Sequence, residues 1–514
     1  MTQTEAAPPA DRDKLMTTEL VPEQILPKVM STFGLTAAYV FIICWVTGSS
    51  VMAGGGWTAI PMWVLGILTF LIPAGMAVVE LGNLWPGQGG VYIWAYRTMG
   101  GETWGGFIGG YLSWVPVILN AASSPAVVLQ FLLLAFHTEL GGLTTSIILQ
   151  LVILWTVIGL ALAKLAASQK IMNVVFVVYG ALTLTIFTCG LLFAVENGSA
   201  TPFSWAEATI PPNFAVAGFL YGTVLLYLLG VETPYNMGAE FLSVRRSGPR
   251  MILWGGSTAL VAIYLLTTLG TMMALPGDEI DPPVTGVIGM LDVSGFPPGL
   301  MEICAVVLAG IIIVALMTYQ VAYSRLIFVS GLERHLPRIF THLNPRTRNP
   351  VSAILIQGVI SSLILVGLYS QSSMANVTIY LQGGLSTVWL LSGFFFLIPL
   401  IVARKKYADR YVNEQFWRIP GGMAGVWAVV VVGSLGTIGG IYYSFVTPWI
   451  DVPQATWMTW VGGISLGMFA LGLAVYVFGR RSAHKTSQED SLAHLAVFDL
   501  NQAAAPPDTE DTTK

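Results

Sequence analysis

Long apolar segments separated by short polar connections make up most of this chain. Seven of these segments reach the roughly 20 residues that a helix needs to cross the hydrocarbon core of a bilayer. They are continuous, whereas the strands of a membrane barrel alternate apolar and polar residues over about ten positions. Because helices satisfy their own backbone hydrogen bonds in lipid, the pattern predicts an all-α polytopic membrane protein. The seven segments are 143–163, 174–195, 251–275, 303–323, 384–403, 425–446 and 457–478.

The shorter and the interrupted apolar segments raise the prediction to about twelve membrane-spanning helices. An even number of spans places both ends of the chain on the same side of the membrane. The predicted spans are 31–55, 60–82, 103–136, 143–165, 170–195, 213–240, 250–276, 298–333, 351–370, 376–403, 423–447 and 455–479.

Charge is sparse along the chain, and its distribution is more informative than its sum. Only 10% of the 514 residues are charged, against about 25% in a soluble domain, and the formal net charge is −4. With the N-terminus placed in the cytoplasm, Lys and Arg fall at cytoplasmic loops or in the tails. The opposite loops hold only acids such as Asp278 and Asp451. This positive-inside distribution predicts a multi-pass protein of the plasma (cell inner) membrane with both termini in the cytoplasm.

The two ends of the chain are polar. Residues 1–30 lack the basic segment and short apolar core of a cleaved signal, so we expect a cytoplasmic N-terminal tail. Residues 480–514 end in a polar, mildly acidic segment, and we expect them to form a disordered cytoplasmic C-terminal tail.

The sequence carries none of the residue clusters that are typical of enzymes or channels. Cys44, Cys189 and Cys304 lie within predicted spans, share no metal-ligand spacing and are interpreted as packing residues. The five histidines lie in loops, tails or span ends. No nucleotide-binding loop and no ring of like charges for a pore is visible. We therefore expect neither an enzyme nor a channel, and no cofactor, no metal and no nucleic-acid partner.

The first and sixth predicted spans are both interrupted by glycine and small polar residues. The first contains Thr47, Gly48, Ser49 and Ser50, and the sixth contains G-V-E-T-P at 230–234. A broken helix frees backbone N–H and C=O groups, which need partners in the membrane. Freed N–H groups favour a substrate carboxylate and freed carbonyls favour an ammonium, so such paired interruptions predict a substrate site near mid-membrane.

Close helix packing is the alternative explanation for glycines in a span, and it stays open here. It applies above all to Gly54, Gly55 and Gly56, which follow the first interruption directly. For Thr47–Ser50 and Gly230 the polar hydroxyls and the paired positions favour a binding role over packing.

Glu232 stands beside the interruption of the sixth span. A carboxylate at bilayer depth costs roughly 2.5–3.5 kcal/mol on insertion scales, so it is normally functional or paired. Two roles stay open: Glu232 takes up a proton during transport, or it only stabilises the broken helix. Glu240 lies close to Arg245 and Arg246 in the sequence, and we expect it to be interfacial and structural. Glu80 is expected to be a structural anchor.

Four motifs, in order along nearly the whole chain, match one family. The chain resembles the amino acid–polyamine–organocation (APC) transporter superfamily. Within it, F-L-I-P at 70–73 and G-V-Y-I-W-A at 90–95 are similar to the glutamate:GABA antiporter family. The four motifs are E-L-x-x-x-x-P-x-x-G-G-x-Y at 80–92, G-V-E-x-x-x-x-x-x-x-E at 230–240, the segment 324–350 ending in N-P, and R-I-P-G-G at 418–422.

The resemblance implies a LeuT-type fold of two inverted five-helix repeats plus two extra helices. The first repeat would cover 31–195, the second 213–403, and the extra helices 423–479. It implies a secondary active transporter of amino acids or their decarboxylated amines that works by alternating access. An exchanger is favoured, and a proton-coupled polyamine or amine permease is the alternative. A homo-oligomer stays open.

The resemblance also indicates which residues would bind the small-molecule substrate. Thr47–Ser50 match the interruption that takes a substrate carboxylate, and Gly230 with Val231 matches the one that takes its ammonium. Tyr227 and Tyr319 match positions where aromatic rings close the site or cap a cation. Simple packing within the helix bundle is the alternative for each tyrosine.

Two departures from the family pattern affect the expected mechanism. The usual G-x-G form of the first interruption is not intact at 47–50. Proton-coupled members often carry a lysine about six residues after an Asn in the fifth span, and here Tyr179 follows Asn173 at that spacing. The missing lysine favours exchange over a lysine-based proton mechanism.

Overall fold

A computed structural model of the protein describes residues 16–100, 104–209, 214–276, 285–293, 296–369, 374–485, 494, 495 and 498. Throughout this part of the chain the regular structure is helical, and the single β-bridge joins Met30 to Phe241. The all-α prediction is therefore confirmed.

The helices that form the predicted spans follow the predicted order. Ten described helices are long and apolar enough to cross a membrane, or eleven if the bent pair of the first span counts as one. The sixth span has a shorter apolar helix before its break. The span helices are Thr32–Ile43 with Thr47–Ala53, Ala59–Gly66 with Ile72–Leu84, Gly105–Phe136, Leu143–Ala161, Leu165–Asn197, Phe214–Tyr227, Ser257–Ala274, Leu300–Leu332, Val351–Tyr369, Met374–Ser392 with Phe394–Lys406, Gly422–Val446 and Gln454–Ala483.

Burial separates central helices from peripheral ones. The third span, Gly105–Phe136, has 78% of its most apolar window buried inside the protein, and the last span, Gln454–Ala483, has 17%. The third span packs against the eighth and the tenth, and these three helices form the centre of the bundle. The outer helices keep apolar side chains exposed, as expected of surfaces that face lipid.

Both tails lie at the same end of the bundle, which we call the tail side. Thr17–Ile25, within the predicted N-terminal tail, is a helix, and the backbone N–H of Thr18 donates to Glu333 at the end of the eighth span. The last helix extends to Ala483, whose carbonyl accepts from Arg334. The prediction of a disordered tail from residue 480 is therefore wrong for residues 480–483, which continue the last helix. Apart from 494, 495 and 498, the predicted tail beyond residue 485 lies outside the described residues.

Glu80 links two of the family motifs on the tail side. Its carboxylate is fully buried and accepts two hydrogen bonds from Arg404, at 2.5 and 2.7 Å. The hydroxyl of Tyr411 and the backbone N–H of Ile419, within R-I-P-G-G, complete the network at 2.9 and 2.7 Å. Glu80 is thus the structural anchor that the sequence predicted, and it holds the second span to the segment before the eleventh.

Glu240 forms a second buried network, and here the expectation is corrected. The side chain is fully buried rather than interfacial, and its two oxygens accept from Arg325 at 3.0 and 3.1 Å. Arg325 also donates to Asn349 at 3.0 Å. The nearby Arg245 pairs with Glu414 instead. Glu240 therefore joins the second half of the sixth span to the motif at 324–350.

Candidate substrate-binding site

The first span bends by 48° between its two halves, Thr32–Ile43 and Thr47–Ala53. Tyrosine hydroxyls form hydrogen bonds with the backbone groups that this break frees. The hydroxyl of Tyr264 lies 2.8 Å from the carbonyl of Ile43 and accepts the backbone N–H of Trp45 at 3.0 Å. It also lies 2.7 Å from the carbonyl of Tyr227, next to the break in the sixth span. One side chain of the seventh span therefore contacts both breaks.

Two further tyrosines complete the polar contacts of the first break. Tyr179 donates to the carbonyl of Cys44 at 3.0 Å and accepts the N–H of Val46 at 3.2 Å. Tyr319 donates to the carbonyl of Ile42. A buried backbone group without a partner is costly, so these hydroxyls stabilise the break.

The sixth span breaks at Gly230, whose φ of +99° strongly favours glycine. A Cβ added there would approach Ile42 at 2.9 Å and the indole of Trp389 at 3.2 Å, so the two breaks also touch. Beyond the glycine the chain continues as the 3₁₀ helix Thr233–Glu240. The hydroxyl of Thr233 at its start lies 2.5 Å from that of Tyr323.

Glu232 lies between these segments with only 2% of its surface exposed. One carboxylate oxygen accepts from the Ser113 hydroxyl at 2.9 Å and from the Trp389 indole N–H at 3.0 Å. No Lys, Arg or His in the described part of the chain forms an ion pair with it. Glu80 and Glu240, in contrast, each pair with an arginine. The side-chain hydrogen bonds to the Glu232 carboxylate come from neutral donors.

Aromatic rings surround the region next to Glu232. The ring of Trp389 lies 6.0 Å from those of both Tyr319 and Tyr323, and Tyr319 lies 6.0 Å from Trp45. The indole N–H of Trp45 donates to the Tyr319 hydroxyl at 3.3 Å. Aromatic faces attract cations, and a buried carboxylate beside them adds to that preference.

A cavity of about 30 Å³ opens between these rings, large enough for only a few water molecules. A second cavity of about 190 Å³ shares Tyr227 and Gln382 with it, so these two side chains separate the cavities. None of the residues lining the central cavity is charged. They are Ile43, Trp45, Thr47, Asn120, Val127, Leu226, Tyr227, Tyr319, Gln382, Leu385 and Trp389. In this conformation the space between the rings is too small for an amino acid.

The predicted substrate residues take different positions around the cavity. Thr47, Tyr227 and Tyr319 line it. Gly48 lies behind Tyr227, and a Cβ there would come within 2.5 Å of the ring. The predicted binding residues Gly230 and Val231 lie outside the lining, and the Trp389 ring stands between Gly230 and the cavity.

The hydroxyls of Ser49 and Ser50 hydrogen-bond to other parts of the protein. Ser49 accepts from Thr267 in the seventh span at 2.6 Å. Ser50 accepts the backbone N–H of Val287 at 3.0 Å. In this conformation both serines hold the second half of the first span to its neighbours.

Several residues of this site escaped the sequence analysis. Trp389 and Tyr264 look like ordinary aromatic residues of apolar spans, and no local signal distinguishes them. Asn120 and Gln382 carried a usable signal, because amides inside an apolar span must find a polar partner. The sequence singles out Tyr179 only because it stands where a lysine is expected, and it does not indicate the contacts of its hydroxyl.

Curated relatives of this chain are transporters. A "Probable agmatine/putrescine antiporter AguD" of Lactococcus lactis is 23% identical over 342 residues, which cover 65% of this chain and 72% of that protein. An "Uncharacterized transporter lpg1691" of Legionella pneumophila is 22% identical over 439 residues, which cover 82% of this chain and 90% of that one.

Solved structures of transporters share the fold. A manganese transporter of Eremococcus coleocola, in complex with a bis-isothiourea compound, superposes with a TM-score of 0.56 at 15% identity, covering 94% of this chain and 97% of its own. MhsT in complex with L-phenylalanine gives a TM-score of 0.57 at 12% identity, covering 82% and 100%. At such low identity these likenesses carry the fold alone, and it is the LeuT-type fold.

The sequence profile described as "Amino acid permease" matches residues 28–469, which is most of the chain. The match runs from the start of the first span to the middle of the last one. This protein is a transporter rather than an enzyme, and it belongs to the amino acid permease family of APC-type transporters.

Proposed function

We propose that this transporter exchanges amino acids, or the amines formed by their decarboxylation, across the plasma membrane by alternating access. The observation that carries the proposal is Glu232, a buried carboxylate that pairs with no cationic side chain in the described part of the chain. It lies beside two helix breaks and an aromatic-lined cavity. Burying an unpaired carboxylate is costly, and a substrate ammonium would offset that cost while it is bound.

Trp389 supports a specific way for the ammonium to reach Glu232. Its indole N–H donates to the carboxylate, and its ring lines the cavity. The indole therefore occupies the direction from which a substrate N–H would approach. Rotation of Trp389 away from Glu232 would enlarge a cavity of about 30 Å³ and free the carboxylate in the same motion.

The neutral cavity lining supports a substrate with at least one amine. A substrate carboxylate would meet only hydroxyl and amide groups such as Thr47, Asn120 and Gln382. These groups can bind a carboxylate, and they also tolerate its absence, so the lining is chemically compatible with both amino acids and their amines. The relative named as an agmatine/putrescine antiporter acts on two such amines and supports exchange as the mode.

Tyr179 supports exchange over proton coupling. It binds the backbone of the first break with a phenol hydroxyl, at the position where a lysine would be expected in a proton-coupled relative. A phenol, whose ordinary pKa is near 10, stays protonated at neutral pH and so does not alternate between protonation states. Proton-coupled uptake of amines would therefore need another group.

The proposed orientation has both tails in the cytoplasm. The tail side carries Arg97, Arg334, Arg404 and Arg480, as the positive-inside rule requires of a cytoplasmic face. With that orientation, the repeats at 31–195 and 213–403 would be inverted with respect to each other, and 423–479 would add the two extra spans.

Counterflow in proteoliposomes tests this proposal. Vesicles containing purified protein are loaded with a mixture of amino acids, agmatine, putrescine and spermidine, and the uptake of each labelled compound is compared with uptake into empty vesicles. We expect uptake to require the internal pool, and the active labels to name the exchanged pair. Vesicles with Glu232→Gln protein are the matched control for a substrate that binds at this site.

Two outcomes would contradict the proposal. Uptake into empty vesicles that follows an imposed pH gradient would make the protein a proton-coupled amine permease. Exchange that proceeds with wild-type affinity in the Glu232→Gln variant would place the substrate ammonium elsewhere.

A further inference from the structure

The tail-side end of the last span carries a cavity that takes no part in the substrate site. It has a volume of about 330 Å³ and is lined by Tyr476, Val477, Arg480, Arg481 and His484. These positions repeat at three- and four-residue intervals, so they lie along one face of the helix. The cavity is therefore formed by the surface of one peripheral helix at the predicted membrane boundary.

Positive charge converges on this cavity. Neither Arg480 nor Arg481 forms an ion pair with an acid in the described part of the chain. Arg480 donates to the Tyr476 hydroxyl at 2.7 Å, which holds its guanidinium beside the cavity. Partial burial, and then the charges of Arg334 and Arg480, lower the pKa of His484. The lowered pKa of His484 thus agrees with the cationic surroundings that the geometry shows.

The helix face that leads away from the cavity is apolar and exposed. Leu466 and Leu473 are 71% and 66% exposed, and they precede Arg480 on this face by fourteen and seven residues. An exposed apolar stripe on a spanning helix contacts acyl chains. A ligand of this surface would have an anionic group at one end and a long apolar part at the other.

We propose that this cavity binds the headgroup of an anionic phospholipid, with its acyl chains along Leu466 and Leu473. Clusters of arginine at the cytoplasmic end of a span attract anionic headgroups. A free phosphate would satisfy the arginines but not the apolar face, so the continuity of the two surfaces favours a lipid.

A bound headgroup would also connect two parts of the tail side. Arg334 follows the eighth span and donates to the carbonyl of Ala483, at the end of the last helix. A phosphate beside Arg480 would also attract the nearby guanidinium of Arg334. The lipid would thereby stabilise the last span, which has little buried surface of its own, against the eighth span.

Lipid retention measured by native mass spectrometry tests the proposal. Purified full-length protein is titrated with dioleoyl phosphatidylglycerol, with dioleoyl phosphatidylcholine, and with inorganic phosphate as the lipid-free anion. We expect preferential retention of phosphatidylglycerol. Arg480→Gln with Arg481→Gln should weaken it by roughly fivefold for each arginine removed. Arg245→Gln, an exposed arginine on the same side, should leave retention unchanged.

Other outcomes separate the possible occupants. Equal retention of both lipids, or of phosphatidylglycerol by wild type and double variant, would overturn the proposal. Competition by millimolar inorganic phosphate without a lipid preference would assign the site to a soluble anion. A truncation after Lys485 tests the acidic tail as occupant: phosphatidylglycerol retention that appears only after truncation would overturn the proposal. Size-exclusion profiles and substrate counterflow confirm that each variant is folded.

Discussion

Buried glutamates occur in two regions of this protein, and their partners differ. On the tail side, Glu80 and Glu240 each accept two hydrogen bonds from an arginine. At mid-span, Glu232 accepts from a serine hydroxyl and an indole N–H, and no cationic side chain among the described residues pairs with it. All three side chains have 2% or less of their surface exposed, so solvent does not account for the difference.

The different partners indicate different roles. Glu80 and Glu240 are structural, whereas Glu232 is the proposed substrate-binding residue. A buried carboxylate that is fully paired with arginine holds segments together, and removing either partner leaves a buried charge. A buried carboxylate with neutral donors keeps an unmet demand for positive charge. The tail-side pairs therefore hold distant segments of the chain together, whereas the lack of such a pair underlies the proposal that Glu232 binds a substrate ammonium.

The largest expected effect is at a tail-side pair. Arg325→Ala would leave Glu240 and Asn349 buried without their donor, and we expect a loss of about 3–5 kcal/mol of stability. Thermal unfolding of the purified protein, followed by size-exclusion chromatography, measures it. Arg245→Ala is the matched control, because its pair with Glu414 is partly exposed and is expected to contribute about 1 kcal/mol or less.

Equal losses of stability in the Arg325→Ala and Arg245→Ala variants would contradict the structural role of the buried Glu240–Arg325 pair. A combined Glu240→Gln and Arg325→Met variant sharpens the test, because it removes both charges. We expect it to recover part of the stability lost in Arg325→Ala.

The next effect is expected at Glu232. Glu232→Gln keeps an oxygen that accepts from Ser113 and Trp389, so the protein should remain folded. A hydrogen bond to a charged group contributes about 1.5–3 kcal/mol, so the KM for an amine substrate should rise roughly 10- to 150-fold. Initial rates of counterflow measure it. The pH profile of transport should also flatten, because an amide takes up no proton.

Glu302→Gln is the control for this change, since Glu302 lies near the protein surface and pairs with His137. It should leave the KM unaltered. If Glu232→Gln lowers the stability of the protein as much as Arg325→Ala does, Glu232 has a structural role like that of Glu240.

A smaller effect is expected at the tyrosine that contacts both breaks. Tyr264→Phe would remove the acceptor for the N–H of Trp45 and the donor to the carbonyls of Ile43 and Tyr227. Leaving such groups unsatisfied costs about 1–3 kcal/mol, so both the melting temperature and the exchange rate should fall. Tyr442→Phe, at an exposed position of the eleventh span, should change neither. An unchanged exchange rate in Tyr264→Phe would show that the Tyr264 hydroxyl has no role in transport.

The smallest expected effect is a pH dependence at the edge of the tail side. Burial raises the pKa of Glu333, which accepts the N–H of Thr18, and the nearby Glu19 raises it further while Arg97 opposes the shift. An acid with a raised pKa in the folded state stabilises the fold most below its ordinary pKa of about 4.3. That stabilisation is lost as pH rises through the raised pKa.

Amide hydrogen exchange of Thr17–Ile25 at pH 5 and pH 7.5, corrected for intrinsic rates, measures this effect. We expect stronger protection at pH 5, by on the order of 1 kcal/mol or less. Glu333→Gln keeps the acceptor for Thr18 and should reduce the pH dependence. Burial also raises the pKa of Glu23 on the helix itself, so Glu23→Gln shows how much of the dependence belongs there. Equal protection at both pH values would contradict the role of these acids.

The fold was largely predictable because its signals are local. The length of an apolar segment, and a glycine or proline within it, can be read without knowing what packs against it. Partners across the fold could not be predicted in the same way. Glu240 was placed near Arg245 and Arg246 because they are close in sequence, but its partner Arg325 lies 85 residues away. Arg404 lies 324 residues from Glu80.

The candidate site was predictable only where the residue type is unusual for a membrane-spanning helix. Gly230 and Glu232 are conspicuous in an apolar helix for that reason. Trp389 and Tyr264 are not unusual in this sense, because an aromatic residue in a span needs no special explanation. Their importance comes from the atoms that they reach, namely the carboxylate of Glu232 and the carbonyls of Ile43 and Tyr227.

The hydroxyl of Tyr264 has one proton and two carbonyls within 2.8 Å, one at each break. It can donate to only one of them at a time. A substitution that alters the first break therefore changes the bond available to the sixth, although the two segments are about 180 residues apart in the chain. The evolutionary consequence is epistasis: mutations in these two segments should be accepted or rejected in pairs, with Tyr264 as the residue that makes their effects non-additive.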